Sequence, residues 1–274
     1  MKLNLGMSSA SLFNILDTEN SFDFFLRNKI KVCEVFLSTT FEYSQDFAKL
    51  LKDNKKGVTV HSVHSLGNSY EPELFSSNKR VKDDALTVFH KVCSVAQTIN
   101  AKFLTFHGPL KLKRQAYHHN YQALAKDINF LCDLASDYNL YLSYENVHYS
   151  YFDSPLFFKN LSPLCPKLYA TIDVKHAVQG GHDPIEFFKA TQDRLSTVHI
   201  CDVGLDNTPC LPFCGKVEFE FIFNYLVKTN CTAPVILELY PNTYKSENDL
   251  MCSFNSLYSL LQSTTGNIVK FKQQ

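Results

Sequence analysis

Short apolar runs and longer segments of helical spacing alternate along this chain, roughly eight times. The apolar runs cover residues 3–8, 32–37, 58–64, 103–107, 140–145, 168–173, 196–201 and 235–240. The clearest helical segment spans 79–99, where Ala85, Val88, Val92, Val95 and Ile99 recur every three or four positions and so share one helix face. Further helices are predicted over 45–53, 120–138, 183–191, 218–228 and 249–262. Asp183-Pro184 is a good helix start, because the carboxylate can cap free N–H groups and proline suits the first turn. Strands separated by helices imply a parallel sheet. Eight such units in 274 residues predict a closed (β/α)8 TIM barrel of the α/β class, one domain over residues 1–274. No glycine-rich phosphate loop follows the first run, which weakens an open doubly wound sheet.

Successive strand residues face opposite sides, so each run divides into two sets. Leu140, Leu142 and Tyr144 oppose Tyr141, Ser143 and Glu145, while Leu168, Ala170 and Ile172 oppose Tyr169, Thr171 and Asp173. Val198 and Ile200 oppose Thr197, His199 and Cys201, and Val235, Leu237 and Leu239 oppose Ile236, Glu238 and Tyr240. The apolar set suits the layer under the helices, and the mixed set suits the barrel interior. His107 follows the same pattern, with Phe103 and Thr105 beneath it. A charge inside a barrel is costly unless it is paired or bound to a cation. Glu145, Asp173, His199 and Glu238 therefore stand out, each near the C-terminal end of one of four consecutive runs. That rim is where barrel enzymes place their chemistry, so a shared divalent ion is expected there.

Composition alters this picture little. Lys+Arg and Asp+Glu both total 27, so the formal net charge is zero and no basic excess points to nucleic acid as a partner. Nothing approaches the ~20 apolar residues of a membrane span. The stretch Met1-Lys2-Leu3-Asn4-Leu5-Gly6 lacks the apolar run of a secretion signal, so a cytoplasmic protein free of the membrane is expected. Nine cysteines without a C-x-x-C pair read as reduced, mostly buried thiols. With 23 phenylalanines the core is expected to be Phe-rich.

Seven short stretches, in order and each on or just after its expected strand, resemble the xylose-isomerase-like barrel superfamily. They are Val63-His64, Tyr70-Glu71-Pro72-Glu73-Leu74-Phe75, Phe106-His107-Gly108, Tyr144-Glu145-Asn146-Val147, Ile172-Asp173-Val174-Lys175-His176-Ala177, Val198-His199-Ile200-Cys201-Asp202 and Leu237-Glu238-Leu239-Tyr240. The superfamily includes sugar (phosphate) isomerases and epimerases and the family 2 apurinic endonucleases. The resemblance implies that Glu145, Asp173, His199 and Glu238 hold one divalent ion, and that the two glutamates also serve as the acid/base pair. It implies that His176 contacts substrate, or binds zinc as in the endonucleases, and that His64 and His107 match two further endonuclease zinc ligands. The endonucleases carry an Asp-x-His after the seventh strand. Here the corresponding loop, 206–215, holds none, and no histidine follows His199. A full three-zinc cluster of that pattern cannot form. Cys210 or Cys214 could substitute as soft ligands, although loop cysteines more often simply pack.

Three carboxylates and an imidazole make a hard, oxygen-rich site that favours Mn, Mg or Co over a closed structural zinc. Such an ion would polarise a sugar carbonyl and stabilise the enediolate formed when the neighbouring carbon loses its proton. The expected activity is a metal-dependent sugar or sugar-phosphate isomerase or epimerase. The rivals are a zinc phosphodiesterase and a barrel that binds a sugar without catalysis. The expected partner is a small sugar, and superfamily barrels often form dimers or tetramers. Glu34 shares the inward parity and is expected either to touch substrate or to form an interior ion pair. His61 has the opposite parity to His64 in a regular strand and is expected beneath a helix. Lys175 is expected at the surface, or else binding a carboxylate or phosphate. His118 and His119 are expected in solvent, His148 and His182 in rim loops, and Cys201 and Asp202 beside the pocket.

Overall fold

The apolar runs become the staves of a closed cylinder. The computed structural model describes residues 3–111 and 118–271. Its barrel strands are β1 (Leu5–Ser8), β2 (Val32–Leu37), β3 (Thr59–Ser65), β4 (Phe103–Phe106), β5 (Tyr141–Glu145), β6 (Tyr169–Asp173), β7 (Leu195–Ile200) and β8 (Val235–Leu237). All pair in parallel with their neighbours in sequence, and β8 closes the ring by laying Val235 opposite Leu5. The fold is a single-domain TIM barrel, as the alternation of runs implied. Between β7 and β8 lies a two-residue antiparallel ladder, Asp202–Val203 with Pro209–Cys210, which periodicity did not indicate.

The helices follow the capping and periodicity signals. Lys79–Thr98 buries Ala85, Val92 and Val95 as predicted, adds Phe89 and Cys93, and starts at Asn78, whose side chain accepts from the Arg80 N–H. Asp183 caps Pro184–Thr191 in the same way through the Ile185 N–H. Asn100, Asn139 and Asn230, each with φ between 54° and 58°, turn the chain out of three helices towards the next strand. Asn tolerates this left-handed backbone better than most side chains. Two short helices, Ser21–Arg27 and Pro155–Leu161, were too brief for periodicity to reveal. Phe22, Phe24, Phe25, Phe152, Phe157, Phe158 and Phe187 are all buried, which makes the helix–sheet layer rich in phenylalanine. All nine cysteines are free and five are buried. No helix among the described residues is long and apolar enough to cross a membrane.

Two bulges set the depth of the barrel's polar interior. Between β2 and β3 the register passes from Cys33↔Val60 to Glu34↔Ser62, so His61 is an extra residue. Between β6 and β7 it passes from Ala170↔Leu195 to Thr171↔Thr197, so Ser196 is extra. A bulge puts consecutive side chains on one face. His61 accordingly points inward, not under a helix as regular alternation predicted. Its Nε2–H reaches across to the Ser196 carbonyl (3.0 Å) and Thr197 Oγ1 (3.1 Å), and its ring rests on Phe103 at 5.0 Å.

This placement has a measurable consequence. Burial disfavours the charged imidazole of His61 and brings its pKa down to about 4. The neutral form is stabilised in the folded chain alone, so the contribution is full above the unfolded value near 6.5 and is lost as pH falls towards 4. At ~1.4 kcal/mol per unit, His61 should cost the wild type about 3 kcal/mol of stability across that window. In urea unfolding at pH 7 and pH 4.5, His61→Gln should therefore lose markedly less stability than the wild type. Equal acid sensitivity of the two proteins would contradict a buried neutral His61.

Candidate metal centre

At the C-terminal mouth of the barrel, β5 to β8 each deliver one ligand-type side chain. Glu145 and Asp173 are the last residues of β5 and β6, His199 is the penultimate residue of β7, and Glu238 immediately follows β8. The Glu238 N–H still bonds the Ile200 carbonyl (3.1 Å), which keeps its side chain in register with the others. One ligand atom from each of the four lies within 4.8 Å of every other. Glu145, Asp173 and His199 are buried to 1% exposure or less, and Glu238 is half-buried.

His199 sits between carboxylates. Its Nδ1 is 3.1 Å from Glu145 Oε1 and 3.6 Å from Glu238 Oε2, and its Nε2 is 3.1 Å from both oxygens of Glu34. Burial opposes a charged imidazole, but the charges of Glu34, Glu238 and Glu145 outweigh it and hold the pKa of His199 well above its ordinary value. Glu34 is fully buried beneath His199 and takes hydrogen bonds from Ser8 (3.3 Å), Ser62 (2.8 Å) and Thr105 (3.2 Å). Burial raises the pKa of its carboxyl, but the charge and hydrogen bond of the facing His199 outweigh it and bring the pKa down to about 2. Glu34 does not line the pocket, so of the two readings offered by its parity the interior ion pair holds.

Asp173 is fixed from two sides. Its Oδ1 caps the helix Val174–Gln179 by accepting the His176 N–H (3.0 Å). Asn146 exchanges bonds with its main chain, accepting from the Asp173 N–H (2.6 Å) and donating to its carbonyl (3.0 Å). That leaves Oδ2 buried with no hydrogen bond, although Lys175 Nζ is 3.1 Å away. Glu145 Oε2 is likewise buried without a hydrogen bond. Imidazole nitrogens surround it, His64 Nε2 at 3.3 Å and His107 Nε2 at 3.2 Å, themselves 3.0 Å apart. Burial works against a charged His64, yet Glu145 pushes its pKa up to about 9. The three histidines that face Glu145 hold its carboxyl well below the usual range, against the effect of burial.

Buried carboxylate oxygens that lack hydrogen bonds, on residues whose ligand atoms come within 4.8 Å of one another, are what a cation would satisfy. The donor set is oxygen and imidazole, suited to a divalent ion. With His199 Nε2–H committed to Glu34, its Nδ1 is the nitrogen available to such an ion. The residues fit.

Above the cluster lies a pocket of about 350 Å³. Glu145, Glu238, His64, His107, Lys175 and His176 line it, and Phe13, Phe36, Tyr149 and Tyr240 form its rim. A larger cleft of about 740 Å³ adjoins it across Phe13 and Phe36 but contains none of the ligand residues. Lys175 is not at the surface as expected. It is 2% exposed at the pocket wall, with Nζ 3.2 Å from the Tyr240 hydroxyl and 4.0 Å from Glu238 Oε2. His176 is buried, its Nδ1 2.9 Å from Nδ1 of the more exposed His148. Burial and the nearby Lys175 charge keep its pKa well below the ordinary value.

Several neighbours of the site stand in the stretches that resemble the superfamily, without a role that sequence reasoning gave them. Glu71, from a 3-10 turn, accepts the His107 N–H (2.6 Å) and the Gly108 N–H (3.3 Å) and so fixes His107. Gly67 makes room for it, since a Cβ there would come within 2.2 Å of the Glu71 carboxyl carbon. Asn146 and Tyr240 flanked recognised residues but had no assigned task. The remaining candidates lie away from the cluster. His118 is exposed, whereas His119 packs on the rings of Tyr121, Tyr151 and Phe157 instead of standing in solvent. His182 rests on Phe187. Asp202 pins the loop after β7 by accepting from the Val203, Gly215 and Val217 N–H groups, so neither it nor the buried Cys201 lines the pocket. Cys210 and Cys214 belong to no metal-capable group among the described residues.

The family model described as the xylose isomerase-like TIM barrel matches residues 21–254. The chain belongs to that family. No curated protein matches it in sequence. Solved structures of xylose isomerase-like barrels superpose closely. A D-tagatose 3-epimerase-like protein is 18% identical with a TM-score of 0.79, covering 97% of this chain and 100% of that one. The D-psicose 3-epimerase of Clostridium cellulolyticum H10 is 11% identical at 0.78, covering 96% and 99%. The 3-keto-D-glucoside 4-epimerase YcjR of E. coli is 14% identical at 0.75, covering 94% and 99%. At these identities the likeness is one of fold. Several structural neighbours are sugar epimerases, and a probable 3-DHS dehydratase, AsbF of Bacillus anthracis, shares the fold as well.

Proposed function

We propose that this chain is a divalent-metal-dependent sugar or sugar-phosphate isomerase or epimerase. The observation that carries the reading is the meeting of Glu145, Asp173, His199 and Glu238 within 4.8 Å at the floor of a sugar-sized pocket. The sugar epimerases among the structural neighbours support it. The ion would be Mn, Mg or Co, and when bound it would supply positive charge to the vicinal oxygens of a sugar carbonyl and hydroxyl. The chain's own groups do the rest. Glu238, which opens on the pocket, takes the proton from the carbon beside the carbonyl, and Glu145, from the other side of the cluster, returns one. His176 and Lys175 at the wall, with His64 and His107, position the sugar hydroxyls. The apolar rim of Phe13 and Phe36 limits water at the reacting carbon.

A second reading keeps a specific observation in its favour. His64, His107 and Glu145 form their own metal-capable group. Their atoms lie 3.0–3.3 Å apart. Ligands of a tetrahedral zinc are spaced about 3.3 Å apart. A two-zinc phosphodiesterase would use that group beside the first, with Glu145 shared. Metal analysis after saturation separates the two readings. One Mn or Mg per chain, together with deuterium uptake by a ketose or aldose in heavy water, is the expected result. Two zinc ions per chain and no labelled sugar would overturn the isomerase reading.

A further inference from the structure

The Lys175 ammonium is the unusual feature of this centre. It starts from the first turn of the helix capped by Asp173, is 2% exposed, and lies at the wall of the pocket between Asp173 and Glu238. Three N–H bonds radiate from Nζ. Tyr240 Oη accepts one at 3.2 Å, and the Tyr240 ring lies beneath the charge at 4.5 Å. Asp173 Oδ2, at 3.1 Å, is near enough for ionic attraction but takes no hydrogen bond, and Glu238 Oε2 is 4.0 Å away. Tyr240 Oη is thus the one hydrogen-bond acceptor of this buried cation among the described residues, and the ammonium keeps N–H capacity at the edge of the cavity where a sugar would lie. Leaving such donors unmatched is costly unless a ligand completes them.

We infer that Lys175 is a catalytic residue, whose ammonium donates to the substrate oxygen that gains negative charge when the adjacent carbon is deprotonated. The inference rests on the isomerase reading above. In that step the C–H proton passes to a carboxylate, the bonding pair becomes the carbon–carbon double bond, and the carbonyl oxygen takes up the charge. Lys175 changes no bond. It offers a preorganised donor where charge develops, which stabilises the transition state more than the neutral sugar. Its position also sets the charge balance. Glu145, Asp173 and Glu238 carry three negative charges. A divalent ion and one ammonium would cancel them, and once Glu238 has taken the proton the enediolate's charge would meet a positive site, where without Lys175 it would meet a neutral one.

A pair of small chelators tests this without turnover. Glycolohydroxamate binds as an anion shaped like an enediolate, and glycolamide is its neutral counterpart. Their dissociation constants are measured on Mn-loaded wild type, Lys175→Met and Lys175→Arg, alongside the Mn affinity and melting temperature of each protein. In the wild type the hydroxamate should bind about a hundredfold more tightly than the amide. Lys175→Met should cut that ratio about tenfold while binding Mn at least as tightly, because a like charge beside the ion has gone. Lys175→Arg should keep most of the ratio. If Lys175 merely holds Asp173 in place, Lys175→Met weakens Mn binding and leaves the ratio unchanged, and the assignment is overturned. Should Lys175→Met not fold, a Lys175→Arg ratio cut about tenfold or more at unchanged Mn affinity overturns it too. A wild type that takes up Mn but shows no preference for the anion sinks only the role of Lys175. A wild type that takes up no Mn sinks the isomerase reading with it.

Discussion

Glu238→Gln should stop the exchange of sugar carbon-bound hydrogen with solvent while leaving the barrel folded. The Glu238 side chain is 15% exposed against 2% for Glu145, and it lines the pocket while its backbone stays in the barrel ladder. A carboxylate poised between metal and substrate can take a proton, but its isosteric amide cannot. General-base catalysis of this kind contributes ~10²–10⁴-fold, and loss of that order is the expected size of the effect. Gln keeps an oxygen for the ion, so Mn binding should weaken far less than exchange. The check is deuterium incorporation into D-fructose, D-tagatose, D-psicose and L-ribulose, followed by NMR with Mn occupancy measured on the same samples. Undiminished incorporation into a sugar that the wild type labels would rule Glu238 out as the base. Loss of Mn in parallel with exchange would reduce its role to that of a ligand.

How much of this centre the sequence displayed depends on which physical regularity each residue obeys. Glu145, Asp173, His199 and Glu238 were legible because a strand's two-residue period, ended at the C-terminal rim, leaves an inward ionisable side chain little choice of place. The same regularity failed at His61, where one inserted residue turns His61, Ser62 and His64 all inward. A bulge carries no compositional mark. Parity also tells facing but not depth. It turned Glu34 inward correctly, yet only the stagger of the strands puts it below His199 instead of beside the substrate. Lys175 follows β6 by two residues, where the chain turns into a helix and neither period applies. Its direction is set by Asp173, which caps that helix. Glu71 and Asn146 reach the site from irregular backbone, for which hydrophobic spacing makes no prediction.

Glu34 should prove to be the group that makes His199 a ligand. A neutral imidazole has one protonated and one free nitrogen, and the partner of the protonated one decides which is free. Here the Glu34 carboxylate lies 3.1 Å from Nε2 and keeps that proton, so the proton an ion would displace is the one on Nδ1, facing Glu145 and Glu238. Glu34→Gln keeps the volume and an acceptor oxygen but loses the charge. It also places an amide N–H within reach of Ser62, Thr105 or His199 in a fully buried niche. Losing such a partner typically weakens metal binding by about 10–100-fold, and that is the expected fall in Mn affinity. Glu34→Leu goes further, since it strands three hydroxyls and an imidazole. Removing one member of a buried pair costs ~3–5 kcal/mol, which should appear as a sharply lowered melting temperature. Added Mn should restore part of the stability of Glu34→Gln and little of that of Glu34→Leu, because only the former retains an acceptor for Nε2–H. Wild-type Mn affinity in Glu34→Gln would mean that His199 needs no such guide and that Glu34 serves the barrel's packing alone.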